Sequence, residues 1–220
     1  MTTINVKNEK LTYVTALTYA IDRDMLVEEY YRGFARSATL PASPLSPYYN
    51  ETLASRYGYD AGAALTQAVS GAQLPADTVV KLLVNSDDSL RTRIARTVAT
   101  ALRSCGLTVE LVTQKTADCQ YYLSMGWYDL YLGQTRLSPN MDLSAFFSSS
   151  GALSYGSLDS VSLYTLCSEA LANHGNFYTL HQNVMEDGRL CPILFSSYAV
   201  YATRGLLTGL TPSRDNGFYY

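Results

Sequence analysis

The sequence predicts an α/β fold, and three observations carry the prediction. Strand, helix, strand, helix and strand succeed one another without interruption from Thr78 to Gly133. The first helical segment there keeps the 3.6-residue apolar period of a helix laid on a sheet. The chain has 220 residues, 47% hydrophobic and 16% charged, enough for one sizeable core under a weakly charged surface.

Leu11 to Tyr31 reads as helix in two pieces, with Leu17, Ala20 and Ile21 as an apolar stripe. Asp22 can cap the second piece, which carries Met25, Leu26 and Tyr30, and Gly33 ends it. Pro41, Pro44 and Pro47 forbid a helix in Phe34 to Asn50, which reads as a long extended loop. Asp60 can start a short helix running to Val69, with Gly71 and Pro75 as its stop.

Thr78 to Val84 is a nearly continuous apolar run, the pattern of a strand buried on both faces. Asn85 to Asp88 supplies cap chemistry. The next helix has Leu90, Ile94, Val98, Ala101, Leu102 and Cys105 on one face, with arginines at the other positions and Gly106 as the stop. Leu107 to Val112 is the next strand, Thr116 to Met125 the next helix, and Trp127 to Gly133 the next strand. Each connection suits a right-handed parallel crossover. Alternation puts Tyr128, Leu130 and Leu132 on one face of the last strand, with Trp127, Asp129 and Tyr131 on the other.

Ser148 to Ser157 is rich in Ser and Gly and reads as mobile. Asp159 or Ser160 can cap a helix carrying Leu163, Leu166, Cys167, Ala170 and Leu171. Phe177, Leu180, His181, Val184 and Met185 have the spacing of a core-facing helix, and Asp187-Gly188 turns the chain. Leu190 to Thr203 reads as one or two strands. Gly205 to Tyr220 has no clear period.

Several function classes are disfavoured. Net charge is -3 and the 16 Lys and Arg are scattered, so nothing argues for nucleic acid. No apolar run approaches the roughly 18–20 residues of a membrane span. The first ten residues lack the apolar core of a signal peptide. Cys105, Cys119, Cys167 and Cys191 form no Cys-x-x-Cys pair, and neither His174 nor His181 lies near one at zinc spacing. They read as small buried hydrophobes, although the four cysteines allow three pairings. No metal or redox cofactor is implied. No Gly-rich phosphate loop or Gly-x-Ser-x-Gly elbow is present, and Asn-Ser-Asp-Asp would repel a phosphate. Tyrosine is over-used, at 19 residues. Most suit structural positions with a wet hydroxyl, and a few suit half-buried crevices.

In open α/β sheets a ligand sits beyond the carboxyl ends of the strands. The place to seek binding is therefore the loop Gln134 to Asn140. Arg136 stands out there, because its planar fork can hold a carboxylate with two hydrogen bonds. Asp129 and Asp142 are the nearest carboxylates, although Asp142 equally suits a cap for the segment leading to Phe146. His181 reads as a satisfied core histidine, and His174 as a helix-end or loop residue.

Several segments together resemble the extracytoplasmic solute-binding proteins of ABC importers, in the peptide-, dipeptide- and nickel-binding cluster known as family 5. Ala16-Leu17-Thr18-Tyr19-Ala20-Ile21-Asp22-Arg23 is similar to that family's AL-x-YAIDR helix. Gly33 and the loop with its three prolines resemble the Gly and proline-rich stretch that come next in the family. Tyr59-Asp60 resembles the YDP segment, Tyr128-Asp129-Leu130 the (F/Y)D strand, and Asp187 to Ile193 the E-D-x-P-x-x-P start of a later strand.

The resemblance implies a periplasmic-binding-protein-like lobe with a βαβαβ core, additional C-terminal helices and return strands. Residues 1–10 would be a hinge strand from a first lobe, 11–204 the second, ligand-binding lobe, and 205–220 a segment returning toward the first. The intact protein would be an extracytoplasmic binder, periplasmic or a cell-surface lipoprotein, taking a small peptide or peptide-like solute to ABC permease subunits. Tyr131, Gln134, Thr135, Arg136, Leu137 and Asn140 would contact the solute, with Arg136 as anion clamp and Tyr131 on the cleft wall.

The sequence departs from the family pattern at three places. Val14 stands where an Arg is usual, and Ala61 replaces the proline of YDP. The loop lacks the Trp and the Asp that in peptide binders pairs with the ligand's amine. Two rival readings are a complete small α/β hydrolase-like enzyme using Asp129, Asp142 or His181, and an interaction module acting through its tyrosines.

Overall fold

A computed structural model describes residues 1–7, 16–60, 62–63, 78–155 and 158–196. Its strands are β1 (Thr2–Val6), β2 (Ala35–Ser37), β3 (Val79–Asn85), β4 (Thr108–Gln114), β5 (Leu130–Gln134) and β6 (Leu190–Ser196). They form one six-stranded sheet in the order β2-β6-β1-β5-β3-β4. The helices are α1 (Ala16–Ala20), α2 (Arg23–Tyr31), α3 (Glu51–Ala54), α4 (Ser89–Ser104), α5 (Thr116–Met125), α6 (Ser144–Phe147), α7 (Val161–Ala172) and α8 (Phe177–Asp187).

The sheet has two halves. β3 pairs in parallel with both β4 and β5, as the strand-helix alternation predicts. β1 pairs antiparallel with β5 and β6, and β6 antiparallel with β2. The register sets Thr2 beside Gln134 on one side and Leu194 on the other. The start of β1 and the end of β6 therefore lie at the same sheet edge as the carboxyl ends of β3, β4 and β5.

One face of the sheet carries the main core. Val80, Leu82 and Val84 of β3 and Leu130 and Leu132 of β5 pack there with Ile94, Val98 and Leu102 of α4. These three α4 side chains are buried, each stabilising by about 2 kcal/mol. Asp88 caps the helix by accepting from Arg91 N at 2.9 Å, and Gly106 stops it at φ 92°. On the other face, Cys119 and Leu123 of α5 cover Leu83 and Tyr128, while α6, α7 and α8 close a second apolar cluster around Phe146, Phe147, Phe177 and Leu180. All four cysteines are free and buried, as small hydrophobes should be.

Several boundaries depart from the sequence reading. β3 is buried on both faces only toward its carboxyl end. Val79 is 45% exposed and Lys81 also meets solvent, because nothing among the described residues covers that part of the α5 face. Regular alternation in β5 begins at Leu130, so Tyr128 packs with Tyr131 rather than with Leu130 and Leu132. Trp127 N donates to Tyr122 O, which bends the chain before the ladder starts. The strand also runs on through Gly133 to Gln134. The proline-rich stretch holds β2, and Asn50 caps α3 just after it, accepting from Leu53 N at 2.8 Å. α2 ends at Tyr31, and Arg32 takes the left-handed turn at φ 47° before Gly33.

Asp22 and Ser160 cap α2 and α7 as expected, accepting from Met25 N and Leu163 N. The stripe residues Leu17, Ala20 and Ile21 are buried, and of the second piece Leu26 is buried while Met25 is exposed. Asp60 Oδ1 accepts from Gly62 N and Ala63 N, the cap expected at the start of the predicted helix. The rest of that helix, Leu11 to Thr15, the chain beyond Ser196 and Gly156–Ser157 lie outside the described residues. Ser148 to Tyr155 is a run of turns closed by backbone hydrogen bonds, such as Leu153 N to Ala145 O at 3.1 Å.

Candidate solute-binding edge

Three loops leave the carboxyl ends of the parallel strands. The first two are knitted together. Asp87 Oδ2 accepts from Thr116 N at 2.9 Å and Thr116 Oγ1 at 2.6 Å, and Asn85 Nδ2 donates to the same hydroxyl. The Thr116 donors hold the Asp87 carboxyl below its ordinary pKa. Asp88 and Arg91 form an ion pair at 3.1 Å, and Arg91 Nη2 also donates to Gln134 Oε1 at 3.0 Å. That bond ties the first turn of α4 to the end of β5.

The third loop, Gln134 to Asn140, alternates between anchors and exposed side chains. Thr135 N donates to Met1 O, and the Met1 amine donates to Thr135 O at 2.8 Å. Leu137 is buried in the second cluster and pins the middle of the loop. Ser138 Oγ donates to Asn140 Oδ1 at 2.6 Å, and Met141 turns the chain at φ 55°. Ser43 N donates to the Met141 sulfur at 3.5 Å, so the proline-rich stretch leans on the end of this loop. Gln134, Arg136 and Asn140 are exposed, and Thr135 is half-buried.

Tyr131 is half-buried below the loop. Its ring meets Tyr128 at 6.2 Å and Tyr155 at 6.0 Å, both edge-on. Burial pushes the Tyr131 hydroxyl up to about 12, and pushes Tyr128 up further. Tyr128 OH is buried with no partner among the described residues.

The predicted residues thus share one edge, although Leu137 faces the core. Sequence reasoning missed Arg91 and Tyr155. Arg91 looked like one more polar-face arginine, and its only sequence signal is its place three residues after the Asp88 cap. Tyr155 sat in a stretch whose composition says loop and nothing more.

The acid and base candidates are not brought together. Asp129 Oδ2 accepts from Lys81 N at 2.8 Å, pinning the amino end of β5 to β3. Asp142 Oδ1 accepts from Ser144 N at 2.8 Å in the turn that leads into α6, one residue before the N-cap Leu143. His181 is fully buried on α8, away from this edge. It is not the satisfied core histidine expected, since neither ring nitrogen has a partner among the described residues. Its ring meets Phe177 at 5.6 Å, and burial drives its pKa down to about 4. His174 lies in a surface turn, its Nδ1 3.5 Å from Tyr48 OH. No group of His, Cys, Asp and Glu among the described residues is placed to hold a metal ion.

The sheet is thus mixed, with helices on both faces and the loops after its parallel strands gathered at one edge. The chain belongs to the bacterial extracellular solute-binding proteins, family 5, whose middle-region model matches residues 5–154. Solved structures share the fold at low identity. HbpA2 from Haemophilus parasuis matches with TM-score 0.77 and 17% identity, over 89% of this chain and 42% of its own. NikA from Staphylococcus aureus, solved with Ni(L-His)2, gives TM-score 0.76 and 16% identity, over 89% and 44%. The oligopeptide-binding protein AppA from Bacillus subtilis, solved with a nonapeptide, gives TM-score 0.73 and 19% identity, over 89% and 44%. The chain spans less than half the length of these structures. No curated protein matches the chain.

Proposed function

We propose that this chain is the second lobe of an extracytoplasmic solute-binding protein of an ABC-type importer. It closes with a first lobe on a small peptide or peptide-like solute. The observation that carries this reading is topological. β1 starts and β6 ends at the edge where Gln134 to Asn140 also lies. A lobe whose connecting strands cross beside its own crevice can close by a hinge there.

In this reading residues 1–10 contain the first crossing strand, 11–204 form the lobe, and 205–220 return toward the other lobe. β1 is then a lobe strand and a hinge strand at once. Gln134, Thr135, Arg136 and Asn140 supply polar contacts, with Arg136 as the anion clamp. Tyr131 forms the wall, and Leu137 sets the loop's position from below. Permease subunits are the partners of the intact protein, which works outside the cytoplasm, free or held by a lipid anchor. No helix among the described residues is long and apolar enough to cross a membrane. The lobe carries out no reaction, a reading supported by the structural use of Asp129 and Asp142.

Arg136→Ala in the full-length protein tests the clamp by calorimetric titration with a pool of short free-acid peptides. Affinity falls about tenfold or more, the worth of one charge-assisted hydrogen bond, while the unfolding temperature holds. Unchanged affinity would remove Arg136 from the site.

A further inference from the structure

An arginine side chain has five N–H donors and no acceptor. Whatever meets it must offer a lone pair. Gln134 meets Arg91 through its Oε1 at 3.0 Å. A carboxamide's orientation is otherwise ambiguous, because its oxygen and nitrogen are nearly equivalent in shape. Here the partner's chemistry fixes it. The oxygen faces α4, and the NH2 group lies on the opposite branch of an exposed side chain. No acceptor among the described residues meets that NH2.

Arg91 already serves two acceptors through Nη2, Asp88 Oδ2 and Gln134 Oε1. Its side chain is 18% exposed and its charge is matched by Asp88 at 3.1 Å. Its Nε is buried and has no partner among the described residues. A guanidinium so neutralised and covered is poorly placed to grip a solute, but well placed to orient a neighbour.

We propose that Arg91 is a positioning residue of the solute site. It locks Gln134 as a donor, so that the exposed end of β5 selects a solute bearing a carboxylate or similar oxygen acceptor. This rests on the proposed function, in which the loop Gln134 to Asn140 faces the solute. Without Arg91 the Gln134 amide can present oxygen or nitrogen equally well, and the edge loses its preference for acceptors. Gln134 and Arg136, two residues apart, then act as donors of different kinds, one neutral and fixed, the other charged.

The test uses the full-length protein and one pool of tri- to pentapeptides in two forms, free acid and C-terminal amide, titrated separately. Wild type binds the free acids about tenfold or more tighter than the amides, because a carboxylate offers two charged acceptors where an amide offers one neutral oxygen beside an NH2 that opposes the fixed donor. Arg91→Ala lowers that ratio about threefold, leaving the part that Arg136 sets, whereas Arg91→Lys, which still donates to Oε1, keeps most of it. A merely structural role for Arg91 would lower the unfolding temperature and leave the ratio alone. A ratio unchanged in Arg91→Ala overturns the proposal, as does a wild type that binds both forms equally, and in both cases the peptide-binding reading stands. A wild type that binds neither pool overturns that reading, and the proposal falls with it.

Discussion

The two halves of the sheet are built from chain in opposite ways. The parallel half, β3-α4-β4-α5-β5, comes from one continuous stretch of sequence, Val79 to Gln134. The antiparallel half joins Thr2–Val6, Ala35–Ser37 and Leu190–Ser196, strands separated by most of the chain. The first is held by local helix-on-strand packing. The second depends on long-range ties, and the most elaborate is Arg23. Its guanidinium is buried without a carboxylate at hydrogen-bond distance among the described residues. Nε donates to Pro192 O at 2.9 Å, Nη1 to Thr18 O at 2.7 Å, and Nη2 to Thr18 Oγ1 at 2.8 Å. Burial pushes its pKa down, yet every nitrogen is satisfied. The half that cannot rely on contiguity uses a buried cation as a clasp between the helical segment around α1 and the far strand β6.

The largest effect should come from breaking that clasp. Arg23→Ala takes the guanidinium donors away from Pro192 O and Thr18 O in a sealed site and should cost about 4 kcal/mol in denaturant unfolding. Hydrogen exchange should show β6 and β1 opening more than β3 and β4. Equal opening of both halves would mean that the sheet acts as one unit.

A smaller effect sharpens the comparison from the other side. His181 sits neutral on the buried face of α8 with a pKa near 4 in the fold, against 6.5 when exposed. Below pH 6.5 the unfolded chain takes up a proton that the folded chain refuses. Stability therefore falls as the pH drops from 6.5 toward 4 and levels off below, by roughly 3 kcal/mol in all. His181→Leu should flatten that part of the profile and raise stability at the acid end. An unchanged slope would place the titrating group elsewhere.

The smallest stability effect should be at the site itself. Arg136→Ala, which should weaken binding, should shift unfolding by no more than about 0.5 kcal/mol, as surface substitutions usually do.

Legibility in the sequence divides along the same line. α5 is legible to the residue, and α4 is marked by its Asp88 cap, apolar face and Gly106 stop. β2 is hidden, because three residues carry no period and, among the described residues, pair with β6 alone. β1 is suggested by family resemblance alone, since its place between β5 and β6 is decided by partners more than a hundred residues away. At the site, Arg136 can be singled out because its loop comes directly after a strand. Arg91 cannot, because its bond to Gln134 exists only once α4 and β5 are side by side. Alternation extended into a bend puts Tyr128 on the wrong face.

Hydrogen exchange of the full-length protein, with and without a saturating pool of free-acid peptides, tests the central claim most directly. The account predicts new protection at the amides of Thr135 to Asn140 and at the start of β1, with none at Tyr121 to Trp127, near the amino end of β5. Protection confined to that end, or none at the loop while peptide is bound, would contradict it.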